Sequence, residues 1–504
     1  MSTPTGPVNP YLPDWEYVPD AEPRVFGDRL FAFGSHDRFG AFGFCLNDYV
    51  VWSTPLDDLS AWTSHGVAYR GDQDPLNHVG KGSGKSSKRL SRTPGGKRAR
   101  KSSGKRPLFA PDVVQGADGR FYLYYGMGQF PAVGVAVADA PQGPYEFLAH
   151  VTHRSGQRLG GQRGDIYPFD PAVLVDDDGR VYLYTGQAPS ERFRWFVDRQ
   201  GLRHEGAYVM QLDPSDMHTV IDSPRLVAPG ARESVGTSFE GHGFFEASSI
   251  RKVEGVYHFV YSTVLMHELG YATSDRPDGG FTYAGTLVSN GDVGLQGRPT
   301  SEPLNYTANN HGGLVQLDQT WFVFYHRHTN STWFARQGCA EPLQRDEDGR
   351  FLQAEITSSG LRNGALPGVG TYSAAIACVL MGPKGARPMP VVRLPGVKHP
   401  YLTQSGKDRE GAGDQHVTNL RDGAVVGFRY LDLSSTRQLS LQATSTHPAA
   451  FLVSTELGGE PVAVVPVGVG AATVLLPAGL PARSGLYLRY SGPGRGELRS
   501  FTMS

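Results

Sequence analysis

Five ionisable side chains stand at similar places in the chain, each seven to nine residues before a turn. They are Asp20 before Gly27, Asp112 before Gly119, Asp170 before Gly179, Glu246 before Gly255 and His311 before Gln319. Carboxyl groups that converge in one cleft can serve as general acid and general base, as hydrolysis of a glycosidic bond requires. The alternative is that the Asp residues only cap turns. It explains poorly why five successive hairpins carry one such group each.

Glu246 has the surroundings that a general acid needs. It follows Phe244 and Phe245, and the apolar segment 256–261 comes soon after it. Desolvation by such neighbours disfavours the charged form of a carboxyl group and raises its pKa. The alternative for this single residue is a structural carboxylate that is paired with a base.

The five turns belong to a repeated unit. Each is followed by a strand that is rich in aromatic and β-branched residues, and these strands begin at Arg29, Arg120, Arg180, Val256 and Thr320. The turns are 92, 60, 76 and 64 residues apart, and the first interval falls to 64 without the 28-residue segment 79–106. Repeats of this length suit four-stranded units and predict a five-bladed β-propeller. The first strands of its blades line a central channel, so the five ionisable groups should meet near the axis.

Composition supports an all-β protein of more than one domain. The chain has 504 residues, of which 64 are Gly and 36 are Pro, too many residues for one core and enough turn formers for many short strands. Segment 79–106 holds 11 Lys or Arg and no acidic residue, which leaves the remainder with a net charge of -12. We interpret this segment as a disordered surface insertion. Polyanion binding is the alternative, and nucleic acid is not expected because no aromatic residues are interleaved to stack on bases.

The cysteines and the apolar runs indicate the compartment. Cys45, Cys339 and Cys378 are far apart and odd in number, which favours a reducing environment over a disulfide framework. The N-terminal sequence has no basic segment followed by an apolar one, so a cytoplasmic location is expected, although a secreted mature form would look the same. No apolar run approaches the length of a membrane span, so no membrane partner is expected.

Several of these segments resemble the motifs of glycoside hydrolase family 43. The matching segments are Pro19–Asp28, Ala110–Val113, Phe169–Ala172, Phe244–Ile250 and Asn310–Gly313. The resemblance covers about residues 9–385. It implies a five-bladed propeller that hydrolyses furanosides or xylosides with inversion at the anomeric carbon.

The resemblance also implies roles for three carboxyl groups. Asp20 matches the general base that activates water, Glu246 matches the general acid, and Asp170 matches the third carboxylate, which orients the acid and tunes its pKa. A neighbouring anion raises the pKa of a carboxyl group, which suits this last role. One departure leaves an alternative open, because the usual Asp-Pro of the first motif reads Asp20-Ala21-Glu22-Pro23 here. Glu22 is therefore a second candidate for the base.

Four further residues are expected to bind substrate. Arg327 matches an arginine that contacts the sugar, His311 matches a histidine at the hub of the channel, and Phe245 directly precedes Glu246. Asp112 lies in a motif shared by much of the family, and we interpret it as a subsite residue or a structural one rather than as part of the chemistry. No cofactor is required. A structural calcium ion is compatible with the family, in the channel beside His311 or in the C-terminal domain, but a lone His argues weakly for a cation that prefers oxygen ligands.

The C-terminal part differs in character. A Gly- and Pro-rich junction near 382–390 is followed by short alternating strands, which predicts a propeller domain over 1–385 and a β-sandwich over 386–504. The segments 416–428 and 486–492 resemble carbohydrate-binding module family 6. No Trp follows Trp333, so a structural sandwich packed on the propeller is favoured over a working sugar-binding module.

Together these features predict an exo-acting, inverting glycosidase that releases terminal α-L-arabinofuranosyl residues from arabinose- or xylose-containing glycans. β-D-Xylosidase activity, alone or combined with the first, is the nearest alternative. A propeller that binds glycans without catalysis is the alternative from another class, and the retention of all three motif carboxylates argues against it.

Overall fold

The computed structural model describes residues 6–77, 106–128, 130–189, 191–409, 413–468 and 471–504. Within these ranges the regular structure consists of 32 strands, one α-helix (α1, Glu191–Asp198) and five short 3-10 helices. The predicted all-β class is therefore confirmed. The 3-10 helices span Gly71–Gln73, Pro75–Asn77, Asn290–Asp292, Leu295–Gly297 and Ala374–Ile376. Residues 79–105 of the predicted basic insertion lie outside the described ranges.

Five sheets follow one another along the chain, and we call them sheets 1 to 5; their strands pair antiparallel except for β9 and β13 of sheet 3, which pair in parallel. Four are simple meanders in which each strand pairs with the next, whereas sheet 3 has the order β10-β11-β12-β13-β9 with β14 also paired to β12. The strands of sheets 1 and 2 are β1 (Glu22–Phe26), β2 (Arg29–Phe33), β3 (Tyr49–Pro55), β4 (Thr63–Tyr69), β5 (Leu108–Gln115), β6 (Phe121–Met127), β7 (Phe130–Ala138) and β8 (Glu146–His150). Those of sheet 3 are β9 (Thr152–His153), β10 (Ala172–Val175), β11 (Val181–Thr185), β12 (Gly206–Leu212), β13 (Thr219–Val220) and β14 (Arg225–Pro229). Those of sheets 4 and 5 are β15 (Phe244–Val253), β16 (Val256–Thr263), β17 (Glu268–Ser274), β18 (Thr282–Ser289), β19 (Leu314–Leu317), β20 (Thr320–His328) and β21 (Arg336–Leu343).

The first strands of these five sheets contact one another in a closed order. Strand β1 contacts β5 and β19, β10 contacts β5 and β15, and β15 contacts β19. Residues that precede or begin these strands are therefore brought to a common place, although they are far apart in the sequence.

The second strands are apolar on both faces because each lies between two cores. In β6 every residue is buried. Phe121, Leu123 and Tyr125 pack with residues of sheet 1, whereas Tyr122 and Tyr124 pack with residues of sheet 3. Further cores join sheet 3 to sheet 4, sheet 4 to sheet 5 and sheet 5 to sheet 1. Burial on both faces explains the continuous aromatic runs that mark the repeat in the sequence.

Two more antiparallel sheets form the C-terminal region. Sheet 6 has the order β24-β25-β32-β27-β30 with β22 also paired to β32, and sheet 7 has the order β23-β26-β31-β28-β29. The strands are β22 (Gly370–Ser373), β23 (Val379–Met381), β24 (Tyr401–Thr403), β25 (His416–Leu420), β26 (Val425–Leu431), β27 (Gln438–Ser445), β28 (Ala449–Ser454), β29 (Ala463–Val467), β30 (Ala472–Leu475), β31 (Ser484–Ser491) and β32 (Gly496–Met503). Both sheets contribute to one core, in which the rings of Phe428 and Phe501 are 4.5 Å apart.

The predicted domain boundary at 385/386 is corrected by the strand pairing. Strand β22 pairs with β32, and β23 pairs with β26, so the C-terminal sheets begin at Gly370. The Gly- and Pro-rich stretch that suggested a linker is instead a connection within the C-terminal region. Among the residues described above, no helix is long and apolar enough to cross a lipid bilayer.

A buried ion pair fastens the first strands of three sheets to one another. Arg24 of β1 donates to Asp112 of β5, with Nε–Oδ1 and Nη2–Oδ2 distances of 3.0 and 2.7 Å. The same carboxylate accepts the backbone N–H of Val173 in β10 at 2.8 Å, and Arg24 Nη2 donates to the carbonyl of Val173 at 3.0 Å. Asp112 therefore has a structural task, since its oxygens are taken up by these contacts and by the N–H of Val113.

Replacement of Asp112 tests this task. Asp112→Ala leaves the largely buried Arg24 without its main partner, and we expect the free energy of unfolding to fall by about 3 kcal/mol. Urea unfolding followed by tryptophan fluorescence measures the change. Asp139→Ala is the matched control, because that Asp side chain is 96% exposed and its ion pair contributes little. Equal unfolding midpoints for the two variants would contradict this assignment.

Candidate active site

Asp20 and Asp170 occupy matching places in sheets 1 and 3. Each lies two residues before the first strand of its sheet, β1 or β10. Their φ angles are 56° and 46°, in the left-handed region that Asp tolerates better than most residues. Both side chains are buried. The first strands contact one another in a ring, and both carboxyl groups precede their strands. They therefore lie at the same end of that ring.

Glu246 reaches the same place through an irregularity in β15. The pairing of β15 with β16 shifts register on both sides of Glu246, and Ala247 has a φ of 70°. Such bulges re-aim a side chain that a regular strand would place elsewhere. The N–H of Ala247 donates to Asp170 Oδ2 at 3.2 Å, so the Asp170 carboxyl lies directly beside the backbone that carries Glu246.

A buried guanidinium group holds Asp20 in its charged form. Arg336 Nη1 donates to Asp20 Oδ1 at 2.7 Å. On its other side Arg336 Nε donates to Asp37 Oδ2 at 2.9 Å and Nη2 donates to Asp37 Oδ1 at 3.1 Å. Burial alone would raise the pKa of Asp20, but the charge of Arg336, with a smaller effect of His326, brings that pKa far below its usual value. Asp20 is therefore ionised at any pH at which the protein works.

One histidine lies beside each of Asp20 and Asp170. His326 Nδ1 lies 3.2 Å from Asp20 Oδ1, and its Nε2 contacts the carbonyl of Asn309 at 2.8 Å. His311 Nδ1 lies 3.5 Å from Asp170 Oδ2. Burial lowers the pKa of His311 to about 4, so this imidazole is neutral near pH 7 and adds no positive charge to the site.

Asp170 and Glu246 retain protons to a higher pH than ordinary carboxyl groups. Burial raises the pKa of Glu246 to about 7; the charge of Asp20 adds to the increase, and the hydrogen bond from Gln187 Nε2 (3.0 Å) opposes it. Burial also raises the pKa of Asp170 well above its usual value, and the charges of Glu246 and Asp20 raise it further. Two such neighbours cannot both ionise easily, so the pair holds a proton at neutral pH.

Aromatic side chains border this group of carboxyls, and we call them the aromatic rim. They are Phe44, Phe109, Phe169, Trp333 and Phe334. The ring of Phe44 lies 4.8 Å from the guanidinium carbon of Arg336 and 4.8 Å from the ring of Phe334. Phe44 also approaches Trp333 and Phe109, and Phe109 in turn packs on Phe169. Apolar walls around a few polar groups are typical of sites that bind small molecules.

The structure places Asp112 at a different level of its strand from Asp170. Asp112 lies three residues before the end of its first strand, whereas Asp170 lies five residues before the end of β10. The place that matches Asp170 in sheet 2 is held by Ala110, whose φ is also positive, 38°. Asp112 is thus two residues further along the first strand of its sheet, where it binds Arg24. These contacts favour the structural alternative for Asp112, and its contact with substrate stays a prediction.

Arg327 is also placed apart from the three carboxyl groups. It follows His326 in β20, and successive side chains of a strand point to opposite faces. Its Nη2 donates to Gln337 Oε1 at 2.9 Å and to Gln415 Oε1 at 3.1 Å, the latter in the C-terminal region. The histidine of this segment, rather than the arginine, therefore faces Asp20. The sugar contact of Arg327 stays a prediction.

The remaining predicted site residues are His311, Phe245 and Glu22. His311 lies in the site as described above. Phe245 is half-buried, and its carbonyl accepts the N–H of Ala188 next to Gln187. The second candidate for the base, Glu22, forms an ion pair with Arg251 Nη2 at 2.5 Å. It also accepts a hydrogen bond from the hydroxyl of Ser249 at 3.0 Å. Glu22 lies at the level of Asp112 rather than at that of Asp20.

Sequence reasoning missed four residues that shape the site: Arg336, Asp37, His326 and Gln187. The contacts of Arg336 with Asp20 and Asp37 join positions about 300 residues apart, and no local pattern predicts such a pair. His326 could have been found from the sequence, because it precedes Arg327 in a strand and the two side chains must point to opposite faces. Gln187 lies just after β11, and no sequence pattern indicated its role.

The surroundings of His311 do not favour a calcium ion. The groups that act on it include His326, whose nitrogen atoms calcium does not prefer as ligands. Among the described residues, no group of three or more His, Cys, Asp or Glu side chains is arranged to hold a metal ion.

Comparison with known proteins confirms the family that the motifs indicate. The family model of Glycosyl hydrolases family 43 matches residues 88–351. The chain is 42% identical to a "Xylosidase/arabinosidase" of Thermoclostridium stercorarium over 506 positions, 98% of each chain. It is 29% identical to an "Arabinoxylan arabinofuranohydrolase" of Paenibacillus polymyxa, over 71% of this chain and 53% of that protein.

A solved structure is also similar. The crystal structure of a GH43_1 enzyme from Xanthomonas citri complexed with xylose matches with a TM-score of 0.50 and 24% identity, over 71% of this chain and 95% of that one. At this identity the likeness concerns the fold alone. Since the family model covers more than half of the sequence and the T. stercorarium relative nearly all of it, the chain belongs to glycosyl hydrolases family 43.

Proposed function

We propose that the protein is an exo-acting, inverting glycosidase that releases terminal α-L-arabinofuranosyl residues from arabinose-containing oligo- or polysaccharides. The observation that carries the proposal is the contrast between Asp20, held ionised by Arg336, and the buried pair of Asp170 and Glu246, which holds a proton. One ionised and one protonated carboxyl group side by side suit base and acid catalysis at one glycosidic bond. A protein that only binds glycans has no need of this contrast.

β-D-Xylosidase activity, alone or together with the first, is the second candidate. The name of the T. stercorarium relative, "Xylosidase/arabinosidase", favours it, whereas the name of the P. polymyxa relative, "Arabinoxylan arabinofuranohydrolase", favours arabinofuranoside cleavage. The two sugars present similar hydroxyl groups, so the same three carboxyls can serve both substrates.

In the proposed mechanism Asp20 accepts a proton from a water molecule whose oxygen attacks the anomeric carbon. The bond from that carbon to the leaving oxygen breaks, and Glu246 delivers its proton to the leaving oxygen. Gln187 orients Glu246 through the hydrogen bond to Oε2. When Asp170 is ionised, its charge opposes ionisation of Glu246 and so keeps the acid protonated.

The proposed architecture places this site at one end of a channel. We infer that the five sheets are the blades of a propeller and that sheets 6 and 7 form a sandwich. The closed order of contacts among the first strands supports the propeller. The core that both C-terminal sheets share supports the sandwich. The aromatic rim would then surround the entrance to the carboxyl groups and contact the sugar ring.

Sugar release from two aryl glycosides tests the reaction and its substrate. We expect 4-nitrophenyl α-L-arabinofuranoside to be hydrolysed faster than the β-D-xyloside, and Asp20→Asn to lower kcat on either by about 10²- to 10⁴-fold because the base is lost. Asp28→Asn is the matched control, since Asp28 lies in the exposed turn of the same hairpin. Dominant xylose release would select the second candidate. No release from either substrate by the folded protein would contradict the proposed function.

The pH dependence and the leaving group test the acid. Because Glu246 must be protonated and its pKa is about 7, kcat/KM should fall as the pH rises through about 7, while the lowered pKa of Asp20 gives no loss of activity between about pH 5 and 7. Glu246→Gln should remove this descending limb. It should also slow the 2,4-dinitrophenyl glycoside much less than an unactivated oligosaccharide, whose leaving oxygen needs the proton. Equal losses on both substrates would show that another group is the acid.

The anomer that forms first tests inversion. Proton NMR during the first minutes of hydrolysis should show the β-anomer of L-arabinose from an α-L-arabinofuranoside, or the α-anomer of D-xylose from a β-D-xyloside, before mutarotation mixes the forms. A first product with the configuration of the substrate would instead require a covalent intermediate and would contradict the role of Asp20 as a base.

A further inference from the structure

The loop that carries Phe44 has little regular structure of its own. Between β2 and β3, residues 34–48 contain no strand or helix. This site loop supplies Asp37 and Phe44, which hold Arg336 from two sides. Its position therefore decides where the guanidinium group and part of the aromatic rim stand.

The C-terminal region braces this site loop at both ends. Asp408 Oδ1 accepts the N–H of Phe39 at 2.8 Å, and its Oδ2 accepts Asn47 Nδ2 at 3.1 Å. Asn47 Nδ2 also donates to the carbonyl of Asp37 at 2.9 Å. One carboxylate thus ties together the residues on either side of Phe44. The residue after it, Arg409, extends the contact through an ion pair of 3.5 Å with Glu16.

The same part of the C-terminal region holds the opposite side of the aromatic rim. Trp333 Nε1 donates to the carbonyl of Met389 at 2.7 Å, and the hydroxyl of Thr332 donates to the carbonyl of Val391 at 2.9 Å. The N–H of Asn330 donates to the carbonyl of Leu402 at 2.6 Å. Both the site loop and the loop that carries Trp333 therefore contact residues 389–409. The sequence alone predicted that these residues form a linker and part of a separate domain.

We propose that residues 389–409 form part of the sugar-binding site, and that Asp408 is a positioning residue that acts through the site loop and Phe44. The inference rests on the proposed glycosidase function. Asp408 contacts none of Asp20, Asp170 and Glu246 in the structure; its effect falls on how the sugar is held rather than on proton transfer. The C-terminal region then serves catalysis by shaping the pocket, whether or not it binds a glycan of its own.

Asp408→Ala separates this role from a general loss of stability. We expect KM to rise about tenfold, because the sugar wall is displaced, with kcat changed less than about threefold. Partial unfolding would lower the apparent kcat through loss of active enzyme and leave KM unchanged. Asp408→Asn keeps an oxygen for the N–H of Phe39 and should recover part of the affinity.

A second carboxylate at the contact between the two regions provides the control. Glu355 accepts Arg429 Nη1 and the hydroxyl of Tyr430, both in the C-terminal region. Glu355→Ala should leave KM unchanged while weakening the contact between the regions.

The outcomes distinguish this inference from the proposed function. Wild-type protein that releases no sugar would refute the function. Active wild-type protein with an Asp408→Ala variant whose KM stays within twofold would overturn the role of Asp408. An equal rise in KM for Glu355→Ala would also overturn it, since general docking of the two regions would then explain the effect.

Discussion

The buried guanidinium group of Arg336 sets the charge of the whole site. It is shared between Asp20 and Asp37, and all three side chains are almost completely shielded from water. Burying three charges costs several kcal/mol for each ion, and only close, well-aligned contacts offset that cost. As a result Asp20 stays ionised, whereas the nearby pair of Asp170 and Glu246 holds a proton. Without Arg336, burial would drive Asp20 toward the protonated form as well, and base and acid would become alike.

Backbone strain recurs where the chain enters this site. Positive φ angles are found at Asp20, Ala110, Asp170 and Ala247, at matching places in four successive sheets. Each such residue costs on the order of 1 kcal/mol. In sheet 5 the matching place is Gly312, where a Cβ atom would lie 1.8 Å from the carbonyl oxygen of Phe324. Sheets 1 to 4 therefore share a left-handed residue near the start of the first strand, and in sheets 1 and 3 that residue is itself a carboxyl-bearing one, Asp20 or Asp170.

The sequence predicted the repeat well because its physical cause is local. Second strands that lie between two cores must be apolar on both faces, and the turns before them need Gly or Asp. Motif resemblance then grouped Asp20, Asp170 and Glu246, which the structure brings together. The prediction from spacing failed where a position depends on strand register. A count of seven to nine residues before a turn does not distinguish the level of Asp112 from that of Asp170. The partners of Arg336 lie too far apart in sequence for any local pattern to pair them.

The choice of sugar must then come from parts of the site other than the three carboxyl groups. Arabinofuranosides and xylosides differ in ring size and outline more than in the kinds of hydroxyl group they offer. An apolar wall discriminates such differences by only about 1–3 kcal/mol, so, with the aromatic rim as the proposed sugar wall, small displacements of Phe44 or Trp333 would change the preference. Both residues belong to loops held by residues 389–409. Under the proposed role of residues 389–409, selectivity depends on the contact between the two regions, whereas the three carboxyl groups all belong to the five-sheet region.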